Sequence, residues 1–139
     1  MFIRRPRVLA FSTAALVAAA IAQVSLAHEN GDAIKPVLSE KLPNVPGKSI
    51  STIVVTYAPG GTSKAHRHAG SVLAYVLSGE IRSENSATGP AKVYKAGEAF
   101  FEPPGSEHLI SENASKTEPA SLLAIFIADD GAKLTTFDK

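Results

Sequence analysis

The sequence predicts an all-β domain, and three observations carry that prediction. Short stretches rich in β-branched and aromatic residues recur from Ser49 to Ala128. Clusters of Gly, Pro and Asn separate them. After residue 27, no stretch keeps an apolar period of 3.6 beyond a turn or two. Seven or eight short strands with turn residues between them make a sandwich or a barrel.

The first 27 residues stand apart from this pattern. Met1 to Arg7 holds three arginines and no acid, Val8 to Val24 is rich in Ala, Val, Leu and Ile, and Ser25-Leu26-Ala27 ends in small residues at −3 and −1. That succession reads as a secretory signal peptide, with the mature chain starting at His28. A retained transmembrane anchor is the weaker reading, because the stretch is mostly alanine and barely spans a ~30 Å hydrocarbon core. No stable membrane anchor is expected after cleavage. Pro6 and Arg7 follow Arg4-Arg5 where a twin-arginine signal carries apolar residues, which favours the general secretory route. The expected location is periplasmic or secreted.

Residues 28–48 are polar and punctuated by Pro36, Pro43, Pro46 and Gly47, an extended lead-in to a domain over 49–139. Ile50 to Tyr57 is the first β-rich run, broken by Pro59-Gly60-Gly61. Val72 to Leu77 follows, and Ser78-Gly79 turns it into Glu80 to Glu84. Ala91 to Lys95 ends at Gly97, and Ala99 to Glu102 ends at Pro103-Pro104-Gly105. His108 to Asn113 and Leu122 to Ala128 complete the series. Proline stays at strand ends, where it breaks no ladder.

Composition excludes several classes of function. Removing three of the 14 Lys and Arg with the leader leaves 11 against 13 Asp and Glu, a net charge of −2 for the mature chain. Nucleic-acid binding needs a dense basic patch, and none is present. The chain has no cysteine, so thiolate sites, thiol nucleophiles and Fe–S clusters are excluded. Any metal must be held by nitrogen and oxygen. An exported domain of about 110 residues buries enough core to fold without disulfides.

The four histidines carry most of the chemistry. His66 and His68 flank Arg67, and on a strand residues i and i+2 share a face, so both imidazoles point to one side while Arg67 points away. Five residues separate Gly60 from His66. Gly97, five residues, Pro103, one residue, Gly105, two residues and His108 form a second spaced set, with 17 residues, Glu80 to Ala96, between it and Gly79, which closes the first. His28 would be the mature N-terminus, where amine and imidazole together can chelate copper, but no second copper motif accompanies it.

These spacings resemble the two motifs of the cupin superfamily, over roughly Ile50 to Ile127. The resemblance implies a single-domain jelly-roll β-barrel in which His66, His68 and His108 bind one divalent transition-metal ion. Neutral imidazole suits Mn, Fe, Ni, Cu or Zn, and three ligands leave positions open for water or substrate. Two departures stand out. The family's first-motif glutamate falls at Val72 or Leu73, neither of which can bind metal, so the expected centre is three neutral histidines. The asparagine that ends the second motif falls at Glu112, with Asn113 one residue late.

The three-histidine pattern resembles the thiol and diketone dioxygenases and quercetinase-like cupins more than the oxalate-handling ones. It implies a metal-dependent, dioxygenase-like enzyme acting on a small chelating organic substrate. The alternatives are a non-catalytic module binding a small ligand or metal, and a non-oxidative sugar isomerase or lyase. Glu102, on one strand face with Glu98 and Phe100, is the candidate catalytic acid/base or partner of a histidine ligand, if that face is the inner one. Otherwise it is a solvated edge residue. Tyr75, Phe100, Phe101 and Phe126 are expected in the core or the cavity wall, and Arg67 outside. The sequence leaves the oligomeric state open, a homodimer among the forms it allows.

Overall fold

The computed structural model describes residues 33–138. The leader and His28 lie outside them. The described residues form two antiparallel sheets and no helix. The strands are β1 (Ala33–Lys41), β2 (Lys48–Tyr57), β3 (Thr62–Ser63), β4 (His66–His68), β5 (Ser71–Ser78), β6 (Glu80–Asn85), β7 (Gly89–Lys95), β8 (Ala99–Glu102), β9 (Glu107–Asn113), β10 (Ala120–Asp129) and β11 (Thr135–Phe137). One sheet runs β1-β2-β10-β5-β8; the other runs β11-β4-β9-β6-β7, with β3 also on β9. This is the expected jelly roll.

Three strands exceed the expectation. Ala33–Lys41, inside the polar lead-in, pairs with β2 as an edge strand. Pro36 is tolerated there because an edge strand can spare an N–H, and the register shifts between Pro36 and Leu38. β3 and β11 are short strands of two and three residues. Their contribution is local, and it falls at the histidines.

Alternation decides what faces inward. On β10, Ala120, Leu122, Ala124, Phe126 and Ala128 are buried, and they meet Val72, Ala74 and Val76 of β5 in the core. Ala74 and Ala124 are cross-strand partners. Two methyl groups at mid-sheet fill little space, so the sheets enclose a cavity instead of closing. Gly79 makes the β5–β6 corner. Its φ is 69°, and a Cβ there would stand 2.7 Å from the Pro119 carbonyl oxygen, so no other residue fits.

Candidate metal centre

The second sheet brings the three histidines together. His66 is the register partner of His108 on β9, while β11 pairs on the other side of β4, Thr135 with His68 and Phe137 with His66. All three imidazoles are buried, and one ligand nitrogen from each lies within 4.8 Å of the others. Arg67 points outward, as expected. It reaches Glu107 at 2.7 Å and Asp138 at 3.6 Å, tying the edges of this region together on the outer surface.

Each ring is oriented by a partner on its far nitrogen. His66 Nδ1 donates to the Lys64 carbonyl at 2.7 Å, and His68 Nδ1 lies 3.2 Å from both the Leu134 carbonyl and Thr135 Oγ1. Both rings therefore present Nε2 to the interior. His108 is held the other way, its Nε2 2.9 Å from Ser83 Oγ. Its Nδ1 is a buried side-chain nitrogen left without a hydrogen bond: Glu102 Oε2 approaches to 3.0 Å, but off the axis a bond requires. A buried, unpaired imidazole nitrogen beside two others is the donor set a transition-metal ion completes, so the residues fit the ion.

Glu102 lies on the inner face, at 3 % exposure, and is not a solvated edge residue. Its Oε2 also stands 3.8 Å from His68 Nε2 and 3.5 Å from Asn85 Nδ2. Burial opposes ionisation of this carboxyl, yet the contact with His108 and the charges of the three rings outweigh it and hold the group below the usual carboxylate range. Burial drives His66 down to about 4, against the pull of its Lys64 hydrogen bond, and also lowers His68. At neutral pH both rings are neutral, the form that ligates metal.

The centre opens on a cavity with about 520 Å³ of empty space, part of it open to solvent. One wall is apolar and comes from the first sheet: Ile53, Val55, Val72, Ala74, Leu122 and Phe126. Among the described residues, no Lys or Arg lines it. Val72, at the position of the family's glutamate, is 1 % exposed and lines this wall, directly across the ladder from Glu102. Phe100 and Phe126 line the cavity as expected. Tyr75 and Phe101 do not: they are 42 % and 49 % exposed on the outer face of the first sheet, because β5 and β8 alternate with Val72 and Glu102 turned inward.

Asn113 has a physical explanation. Across β6, Glu84 pairs with Ile110 and Asn85 with His108, so Leu109 is an extra, bulged residue. The bulge turns both His108 and Ser111 inward and moves the buried asparagine one place along. Asn113 Nδ2 donates to the carbonyls of Ala58 and Glu118, and its Oδ1 accepts from Ser115 N–H. Sequence reasoning missed Ser83, and also Tyr57, Ser63 and Ser111, whose hydroxyls meet in the cavity wall. Single serines on strands carry no motif, and only the register brings these together.

The comparisons agree with this architecture. A cupin-like protein from Thermotoga maritima superposes with a TM-score of 0.60 at 19 % identity, covering 77 % of this chain and 75 % of that one. An oxalate oxidase in complex with the substrate analogue glycolate gives 0.60 at 25 % identity, covering 79 % and 56 %. Germin-like protein subfamily 2 member 2 of Arabidopsis thaliana is 34 % identical over 100 residues, 69 % of this chain and 45 % of that protein. The chain thus spans less than half the length of that relative. The family model for the cupin domain matches residues 53–126, the stretch that carries the three histidines, Glu102 and the cavity wall, and the chain belongs to the cupin family.

Proposed function

We infer that the protein is an exported, metal-dependent enzyme of the dioxygenase type, acting on a small organic substrate that chelates through neighbouring oxygens. The observation that carries this is one juxtaposition: three buried histidines and a buried ionised carboxylate line a cavity whose opposite wall is apolar and which, among the described residues, holds no cation. A dianion such as oxalate would find no counter-charge from the described residues of the walls. An enol, diketone or phenol would find apolar contact. Signal cleavage after Ala27 belongs to the same reading, and the domain it leaves takes in β1, which pairs with β2 ahead of the expected start at residue 49.

His66, His68 and His108 are the proposed ligands of one divalent ion, which supplies Lewis acidity and open positions for substrate and O₂. Glu102 is the proposed base. As a substrate hydroxyl enters, its O–H bond breaks, the proton passes to Glu102 Oε2 and the electron pair stays on the substrate oxygen. Asn85 steadies the carboxylate, and the apolar wall excludes water. Elemental analysis of purified protein, then O₂ uptake with a diketone and flavonol panel, tests the reading. One equivalent of transition metal and uptake abolished by His108→Ala are expected, with Glu102→Gln keeping metal but losing uptake. Equal metal in wild type and His108→Ala overturns the ligand set. Bound metal with no turnover identifies a binding module.

The proposed homodimer has a surface to form on. Leu73, Phe101 and Ile125 lie in one row across the outer face of the first sheet, beside exposed Tyr75, Leu77 and Ile127. Three strands about 4.8 Å apart and up to some 30 Å long give a face of roughly 400 Å², about half the ~800 Å² per partner of a stable interface. Light scattering should show a dimer that Leu73→Lys with Phe101→Lys dissociates; a monomeric wild type would sink it.

A further inference from the structure

The inner face of the second sheet is built in two rows. His66, His108 and Asn85 are register partners across β4, β9 and β6. Ser63, Ser111 and Ser83 are register partners across β3, β9 and β6. Tyr57, from the end of β2 in the opposite sheet, closes over the second row, its hydroxyl 2.8 Å from both Ser63 Oγ and Ser111 Oγ. Tyr57, Ser63 and Ser111 all line the cavity. A serine hydroxyl has one donor and two acceptor positions, so Ser63 and Ser111, each spending one on Tyr57, keep capacity for a ligand.

The two rows are bridged by Ser83, which reaches back to His108. His108 and Ser111 are three residues apart on β9 with Leu109 bulged between them, which sets the rows about 7–9 Å apart. At that backbone separation a single ring seated on this face can direct one oxygen at each row. Between the rows the opposite wall is Val55, Val72, Ala74 and Leu122.

We propose that the Tyr57–Ser63–Ser111 hydroxyls form a second polar seat of the cavity, selecting uncharged single-ring substrates that chelate at the histidines and carry a hydroxyl or carbonyl at the far end. This rests on the chelating-substrate reading above. The seat offers hydrogen bonds and no charge, so a far carboxylate or phosphate is disfavoured. It also explains a tyrosine and two serines grouped in a wall that apolar residues would otherwise fill.

The test uses two uncharged catechols of nearly equal size, 4-(hydroxymethyl)catechol and 4-ethylcatechol. Each is titrated under argon into zinc-loaded protein by calorimetry. The wild type should bind the hydroxymethyl compound about tenfold more tightly, the size of one recovered hydrogen bond. Tyr57→Phe and Ser111→Ala should each bring the ratio close to one, with zinc content and ethyl-catechol affinity unchanged. Equal affinities in the wild type overturn the seat and leave chelation standing. If neither compound binds zinc-loaded protein, chelation fails and the seat fails with it.

Discussion

At the scale of single residues, Val72 is the informative position. Its side chain lines the cavity wall and faces Glu102 across the β5–β8 ladder. Val72→Glu would set two carboxylates side by side against three imidazoles. Without metal, one of them must take a proton or stay ionised and poorly paired, which costs about 2–4 kcal/mol. With metal, the added anion becomes a ligand and occupies a position that substrate or O₂ would use. The expected result is a melting temperature well below wild type in chelator, recovered on adding metal, with tighter metal binding and lost O₂ uptake. Thermal melts and a competition titration measure both halves. A variant equally unstable with and without metal would show that residue 72 cannot reach the ion.

At the scale of elements, the bulge in β9 makes a prediction about deletions. Removing Leu109 takes out the residue that has no partner on β6, so His108, Ser111 and Asn113 keep their inward phase. Removing Glu112 turns Asn113 outward and strips its hydrogen bonds from the carbonyls of Ala58 and Glu118. Deleting Leu109 should cost about 1–2 kcal/mol and deleting Glu112 more than about 3 kcal/mol, read from denaturant melts in chelator. The reverse order would mean that the bulge, not the pleat, sets the phase. The same strand shows what a sequence can reveal. His66, His68, His108 and the turn glycines were legible because their spacings are set by one pleat and two tight corners. Glu102 was legible as a face, since Phe100 shares its side. β1 was hidden by Pro36 and its exposed polar residues, for an edge strand buries too little to leave an alternating pattern. The serine row was hidden because its members come from β3, β6 and β9, and nothing local in each strand announces the others.

At the scale of the whole molecule, the buried histidines link the stability of the metal-free fold to pH. His66 titrates at about 4 in the native state against 6.5 when unfolded, and His68 is shifted the same way. Below 6.5 the unfolded chain takes up protons that the native state refuses, so stability falls as the pH drops toward 4. Glu102, held below its ordinary 4.5, adds stability that is present above 4.5 and is lost as pH falls further. Both effects have one sign. For His66 alone, moving from pH 7 to pH 5 should remove about 2 kcal/mol, or roughly 10 °C of melting temperature in a domain of this size. Melts in chelator at pH 7, 6 and 5 measure the loss, and His66→Gln should flatten it by about one proton's slope. Metal adds a second dependence of the same direction: the ion binds only neutral imidazoles, so the stability it contributes by binding the native state is also greatest at the higher pH. A metal-free protein with a flat profile from pH 7 to 5 would mean that water reaches the rings, and that the cavity does not shield the centre.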